Sequence, residues 1–476
     1  MPTIVSILIP LYNEEESIGK LLESIFTAPS EYFASAGIRP EVIVVDDASS
    51  DRSCDVVEQY IGSHQARSVR LIRLAKNRGK GFAVRTALAQ AQGEFSLIQD
   101  ADLEYDPAEY PKLLHPLLAG EADFVIGSRF RAADARPVPH FRHTLVNRVL
   151  TTFTNIAADL MLTDMACCYK AFRTSLAQSI PFREDRFGFD AELPIKFAQR
   201  RARIFEAPIG YRPRTYEQGK KIRARDALSL SWTILRTGLR RDVYVDRAAS
   251  MLRAMEGAKR FNRWMASAVS PFMGDRVLEI GAGIGNLTRL LSPQAREYIV
   301  TDIAPEYLMH LDGLIRYRRN VSAAVCDLGK PEDFQRFRGR VDTVVCLNVL
   351  EHIEEDVTGL QNIYSALTPG GRAVILVPQG ASAFGTFDEV LGHLRRYSSA
   401  ELTQKMAAAG FRIDHIREFN RAAYPGWLLN GKILRRRTLS RFQLAIFDRF
   451  VPLLRRIDQF LPWPPASLIA VGVREK

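Results

Sequence analysis

The sequence predicts an α/β protein with two domains, each built on a mostly parallel, doubly wound sheet. Three observations predict it. In the first half, short apolar runs alternate with amphipathic helical patterns without a break, as a doubly wound sheet requires. One such run, from Phe95, ends in Gln99-Asp100-Ala101-Asp102-Leu103-Glu104, and open α/β sheets place ligands at strand ends. In the second half, a run from Arg276 enters Gly281-Ala282-Gly283-Ile284-Gly285, and the next run ends in Asp302, about twenty residues on, where an acid can reach ribose hydroxyls.

With 476 residues there is room for two or three domains. A composition of 47% hydrophobic and 25% charged residues is that of an ordinary globular protein. No secretory signal and no membrane-spanning apolar stretch is read. Five cysteines without a Cys-x-x-Cys pair fit a reduced compartment, so a cytoplasmic location is expected. The net charge of +11 suits nucleotide phosphates, an anionic lipid surface or nucleic acid, and does not choose among them.

Taken in order, Ile4 to Ile9 reads as a buried strand, followed by Pro10-Leu11-Tyr12-Asn13-Glu14 and a helix from Ile18 to Phe26. A strand from Glu41 to Val45 ends in Asp46-Asp47. A third, from Val69 to Leu74, leads to Asn77-Arg78-Gly79-Lys80-Gly81 and a helix from Phe82. The fourth strand ends at the two aspartates. Carboxylates so close repel unless a cation lies between them, which makes Asp100 and Asp102 candidate ligands for Mg2+ or Mn2+. The alternative is a helix start, with Asp102 or Asp106 as cap before Pro107. Lys80 is either a phosphate contact or a solvated surface lysine. A basic, proline-containing stretch over 129–150, with Arg129, Arg136, Pro137, Pro139, His140 and His143, reads as an acceptor loop, followed by a helix from Thr144 to Leu162. Asp190 is either a general base for a hydroxyl acceptor or a helix cap.

The ordered set Pro10-x-Tyr-Asn-Glu-Glu, Val45-Asp-Asp-x-Ser, Asn77-Arg-Gly-Lys-Gly, Gln99-Asp-Ala-Asp-Leu-Glu, Gly127-Ser-Arg-Phe130, Asp164-Met-x-x-Cys-Tyr-Lys170 and Phe187-Gly-Phe-Asp190 resembles the inverting glycosyltransferases of family 2, with the Rossmann-like GT-A fold. Within them it is most similar to dolichyl-phosphate and polyprenyl-phosphate mannose synthases, over residues 3–225. The resemblance implies that Pro10, Tyr12 and Glu14 line a UDP- or GDP-linked sugar and that Asp46 bonds its base. Asp100 and Asp102, with Glu104, would hold the metal, and Arg129, Lys80, Arg214 and Lys220 would meet phosphate oxygens. Such a metal and arginine stabilise charge gathering on a departing nucleoside diphosphate.

From Ile222 to Trp264 arginine-rich and apolar turns alternate. They read as a basic helical connector, either packed on protein or laid on an anionic membrane surface. Beyond it, Glu279, the glycines, Asp302, Val325-Cys-Asp-Leu328, Asn348-Val-Leu-Glu-His352 and Pro369-Gly-Gly371 resemble a class I S-adenosylmethionine-dependent methyltransferase, also Rossmann-like. The resemblance implies that Gly281, Gly283 and Gly285 admit the cofactor. Glu279 and Asp302 would take its methionine end and ribose, Asp327 its adenine, and Asn348 would lie beside the methionine moiety. His352 and His393 are candidate bases for a hydroxyl acceptor, or structural. Arg395, Arg396 and Tyr397 could grip an anionic sugar or phosphate. An apolar stripe between Phe447 and Phe460 reads as core or domain-interface packing, or else as a lid or a peripheral membrane patch.

The expectation is a glycosyltransferase domain over 1–225, a basic helical connector over 226–264 and a methyltransferase domain over 265–476. The first would transfer sugar to a lipid-phosphate or glycan acceptor, and the second would methylate a glycan, glycolipid or related small molecule. The alternative is a methyltransferase alone, with the first half a nucleotide-sugar-binding module. A peripheral contact with the cytoplasmic face of a membrane is expected, and no nucleic acid.

Overall fold

The computed structural model describes residues 2–131, 141–212, 224–240, 243–244, 247–309, 311, 315 and 318–475. The chain divides into two compact units, Met1–Val245 and Asp246–Lys476.

In the first unit seven strands form one sheet: β1 (Thr3–Leu11), β2 (Ile38–Asp46), β3 (Val69–Arg73), β4 (Phe95–Ile98), β5 (Phe124–Ser128), β6 (Lys170–Arg173) and β7 (Ile204–Pro208), in the order β3-β2-β1-β4-β6-β5-β7. The chain starts in the middle of the sheet because β1 is apolar on both faces; Val5, Ile7, Leu8 and Ile9 are all inaccessible. Helix Ile18–Thr27 returns over one face and buries Ile18, Leu21, Leu22 and Ile25, the spacing of a single helical stripe. Parallel register sets Leu11 opposite Asp46 and Leu8 opposite Ile98, so the loops after β1, β2 and β4 emerge at one edge.

One element departs from the expected parallel sheet. β6 runs antiparallel to both β4 and β5 and lies between them. Its four residues follow Cys167-Cys168-Tyr169 and are too few to carry a period. Its place in the sheet follows from burial: Lys170, Ala171 and Phe172 are inaccessible.

In the second unit the strands are β8 (Arg276–Ile280), β9 (Glu297–Asp302), β10 (Val321–Val325), β11 (Val341–Leu347), β12 (Leu367–Pro378), β13 (Phe411–Phe419) and β14 (Ser467–Arg474), in the order β10-β9-β8-β11-β12-β14-β13. β14 is antiparallel to β12 and β13. Successive residues feed opposite cores: Leu278 and Val344 pack on one side with Leu360 and Phe411, Val277 and Val345 on the other with Trp264 and Tyr298.

Helix Ala224–Leu239 packs on helices Phe141–Ala158 and Gly188–Gln199 of the first unit, and Lys259–Val269 packs on Arg441–Ile457 of the second. No described helix is long and apolar enough to cross a membrane.

Candidate active sites

At the end of β4 the backbone is fixed from below. Gln99 is inaccessible, and its Oε1 accepts from the hydroxyls of Tyr110 at 2.9 Å and Tyr169 at 2.8 Å. Asp100 and Asp102 follow at the loop edge. The helix-start chemistry belongs to Asp106, whose carboxylate accepts the Ala108 amide at 3.0 Å ahead of Pro107, and not to Asp102. Asp102 instead accepts the Glu104 amide at 3.1 Å. Glu104 faces Tyr211, whose hydroxyl donates to Oε2 at 3.0 Å.

Lys80 enters from the neighbouring loop. Its Nζ lies 2.8 Å from an Asp100 oxygen and 3.8 Å from Asp190, so it is not a solvated surface lysine. The loop is pinned by Asp47, whose two carboxylate oxygens each accept an amide at 2.7 Å, from Arg78 and from Gly79. Asp190 is paired a second time, by the inaccessible Lys170 at 2.8 Å. Burial alone would raise the Asp190 carboxyl; the two ammonium groups outweigh it and hold it below the usual carboxylate range. Asp190 sits inside helix Gly188–Gln199, whose cap position belongs to Phe187.

Arg129 is gripped by Asp164 in a fork, Nε to Oδ2 at 2.6 Å and Nη2 to Oδ1 at 2.8 Å. Asn147 adds a bond to the same carboxylate at 2.9 Å. Beside this pair lies a cleft of about 380 Å³ lined by Phe130, Arg148, Thr151, Asn155, Leu162 and Thr163.

The loops after β1 and β2 are stitched together. Asn13 donates its amide to Ser49 and accepts from Ser50, and the Glu14 amide donates to Ser53 at 2.8 Å. Pro10 is the penultimate residue of β1, Tyr12 is exposed, and Glu14 accepts from Ser17 at 2.7 Å. Asp46 is buried, accepting the Ser49 amide at 3.2 Å. Arg214, Lys220, Arg136, Pro137, Pro139 and His140 lie outside the described residues, as does the side chain of His143.

In the second unit Gly281, Gly283 and Gly285 all adopt positive φ, of 67°, 54° and 77°. A Cβ on Gly281 would meet Val349 at 2.3 Å and one on Gly285 would meet Leu311 at 2.1 Å, so the turn needs glycine for its own packing. Asp302 closes it by accepting the Gly283 amide at 2.7 Å. Glu279 is buried beneath and accepts from Thr288 at 2.7 Å and Tyr298 at 2.9 Å; burial pushes its carboxyl up to about 7 against those two bonds. Asp327 accepts the Gly329 amide at 2.9 Å beyond β10, and Asn348, at φ 55°, is exposed at the end of β11.

The acceptor candidates divide. His352 and His393 come together, ring centroids 4.9 Å apart. His352 is exposed and bonds the Gly392 carbonyl through Nδ1 at 3.2 Å; burial of part of its ring and the neighbouring His393 lower its pKa. His393 is buried, its Nδ1 on Asp388 at 2.8 Å. Tyr397 does not reach an acceptor surface: it is inaccessible, with its hydroxyl on Asp356 at 2.8 Å. Arg395 pairs with the same Asp356 at 3.0 Å, and Arg396 is buried against Asp388 at 2.8 Å. Burial favours these internal partners over a ligand.

Asp47, Asp164, Lys170, Glu351, Asp356 and Asp388 received no role from the sequence. Their signal was charge inside or beside apolar runs, as in Asp164-Met-Ala-Cys-Cys-Tyr-Lys170, where a buried charge demands a partner.

The first unit is thus a GT-A-type sheet with carboxylates, a lysine and an arginine at one edge, and the second is a class I methyltransferase-type sheet with a glycine turn. Residues 6–180 match the model of glycosyl transferase family 2, and residues 278–373 match that of a methyltransferase domain. The chain is a two-domain protein, a family 2 glycosyltransferase domain fused to a class I S-adenosylmethionine-dependent methyltransferase domain. Its first half is similar to a dodecaprenyl-phosphate galacturonate synthase of Rhizobium johnstonii, 27% identical over 37% of this chain and 49% of that protein. An undecaprenyl-phosphate 4-deoxy-4-formamido-L-arabinose transferase of Proteus mirabilis is 30% identical over 45% of this chain and 62% of that protein. A dolichyl-phosphate beta-glucosyltransferase of Drosophila melanogaster is 32% identical over 40% of this chain and 61% of that protein. The chain spans about half to three-fifths of the length of these curated relatives.

Proposed function

We propose that the chain is bifunctional: metal-dependent, inverting transfer of a sugar from a UDP- or GDP-linked donor to a lipid phosphate, and methyl transfer from S-adenosylmethionine to a glycan, glycolipid or related small molecule. The observation that carries the first activity is the charge relay Asp100–Lys80–Asp190–Lys170 beside the Arg129–Asp164 fork at one sheet edge.

An all-oxygen donor set at a loop edge fits Mg2+ or Mn2+, which such sites hold with one or two carboxylates plus substrate phosphates. Asp100 and Asp102 would hold it; Glu104, turned to Tyr211, is the weaker third. When bound, the ion supplies a Lewis acid for the departing diphosphate. Arg129, immobilised by Asp164, needs no further ordering to set its positive charge against the departing diphosphate. Lys80 can exchange Asp100 for a phosphate oxygen while Asp190 retains it. Asp190 stays anionic: it serves as base for a hydroxyl acceptor, whereas a lipid phosphate needs no base and leaves it to hold the two lysines.

A lipid-phosphate acceptor is supported by the relatives, all of which carry a polyprenyl phosphate in their names. It is supported again by helix Phe141–Ala158, which exposes Phe141, Leu145, Val149, Phe153 and Ile156 along one stripe. We place the protein in the cytoplasm, touching an anionic membrane surface through this stripe. In the second domain, bound S-adenosylmethionine supplies an already activated methyl group, and the chain's task is alignment: the glycine turn and Asp302 shape the cradle, and Asn348 stands at its rim.

The test is transfer of labelled sugar from UDP- and GDP-sugars to polyprenyl phosphate in vesicles with Mn2+. Transfer is expected, and Asp102→Ala should reduce it by roughly a hundredfold or more. A donor that binds with metal yet is neither transferred nor hydrolysed would leave the methyltransferase as the only enzyme.

A further inference from the structure

Glu351 is inaccessible, and neither of its carboxylate oxygens has a hydrogen-bond partner. A carboxyl group left so in a protein interior costs several kcal/mol or is matched by something else. The match it faces is a pair of imidazoles. One ligand atom each from Glu351, His352 and His393 lies within 4.8 Å of the other two, and this is the one such group of three among the described residues. His393 Nε2 stands 3.7 Å from Glu351 Oε1. That is too long for a hydrogen bond, but close to the roughly 3.4 Å that separates two ligands each about 2.1 Å from one tetrahedral ion.

The imidazoles are also oriented as ligands. His393 gives Nδ1 to Asp388 at 2.8 Å and His352 gives Nδ1 to the Gly392 carbonyl at 3.2 Å. With Nδ1 held by Asp388, His393 keeps Nε2 and its lone pair turned to Glu351, as metal-bound histidines are usually held, while His352 is steadied by the Gly392 carbonyl and by the Asn348 backbone. Asp388 is itself fixed by Arg396 and by the Gly385 amide at 3.0 Å, so that arginine is not spare for Glu351. The Leu394 amide donates to the Glu351 carbonyl at 2.9 Å and locks the two segments side by side.

We propose that Glu351, His352 and His393 bind one divalent transition-metal ion of the zinc class. Two imidazole nitrogens and one carboxylate suit Zn2+ or Co2+ and disfavour Mg2+ and Ca2+, which prefer all-oxygen shells. Three protein ligands, one of them on an exposed side chain, leave a coordination position open to water or an oxygen ligand. The site is separate from the Asp100–Asp102 edge and calls for a different metal. It does not depend on the methyl acceptor, or on methyl transfer at all.

The experiment uses the full chain, stripped with chelator and titrated with Co2+. Visible ligand-field absorption should saturate near one equivalent, be abolished by Zn2+ and survive Mg2+. His352→Ala, at an exposed position that leaves the fold intact, and the near-isosteric Glu351→Gln should each remove the band and weaken Zn2+ binding at least about tenfold. Asp388→Asn should weaken it by about 10- to 100-fold. Asp102→Asn should leave the band unchanged, which separates this site from any ion at the sheet edge. An unchanged band in both ligand variants, or no band in the wild-type chain, overturns the proposal.

Discussion

Asp164 shows what one buried charge does in this protein. It is inaccessible and accepts the Arg129 fork, the Arg129 amide and Asn147. Removing one partner of a buried pair leaves the other uncompensated, a loss of about 3–5 kcal/mol. Asp164→Ala is expected to cost that much in denaturant unfolding of the first domain, and Asp164→Asn less, while both weaken donor binding by freeing Arg129. Unchanged donor affinity in a folded Asp164→Asn protein would detach the fork from phosphate binding. Glu279 gives a pH signature. Its carboxyl ionises near 4.5 when exposed and at about 7 when folded, so the folded state holds the extra proton between those values. The stabilisation is complete below about pH 4.5 and is lost as pH rises through 7, by on the order of 3 kcal/mol. Glu279→Gln should therefore gain stability over wild type between pH 5 and 8. A difference independent of pH would mean that Glu279 is ionised throughout.

At the scale of elements, the glycine turn after β8 is legible from sequence because its spacing carries the packing. Its three positive φ angles and the clashes a side chain would make predict that Gly285→Ala destabilises the second domain by about 1–3 kcal/mol and abolishes S-adenosylmethionine binding in calorimetry. The central strands of both sheets are legible for a related reason: continuous apolar runs admit few placements. β6 is not, because four residues cannot show a period, and its lysine argues against burial until Asp190 is seen across from it. Asp106 and Asp102 could not be told apart as caps, since both precede Pro107 and only backbone geometry chooses. Tyr397 and Arg396 read as surface groups but are buried: the partner of Tyr397, Asp356, lies 41 residues upstream, and that of Arg396, Asp388, sits on the short helix before the Gly392 turn, where only the fold brings the two together. Helix Arg441–Ile457 divides its stripe between packing and exposure. It buries Val451 and packs on Lys259–Val269, yet exposes Phe442, Phe450 and Leu453 among arginines. Such a face suits an anionic surface. Replacing Phe442 and Phe450 with Glu should lower sedimentation with anionic vesicles at low salt; equal sedimentation would assign the face elsewhere.

At the scale of the molecule, two domains each carry their own sheet and core. The sites differ in chemistry: carboxylates, a lysine and an arginine in the first, a glycine turn and a histidine pair in the second. Their fusion in one chain gains a purpose if the product of one is substrate for the other, which single-domain assays with exchanged products would reveal. The most direct test of the two-enzyme account is scanning calorimetry of the full chain with S-adenosylmethionine, and with UDP- and GDP-sugars with and without Mn2+. A ligand at a hundred times its Kd raises the stability of the domain that binds it by about 2.7 kcal/mol. The account predicts that S-adenosylmethionine raises the unfolding temperature of the second domain and that one sugar nucleotide, only with Mn2+, raises that of the first. Failure of every sugar nucleotide to move the first transition in the presence of Mn2+ would contradict it.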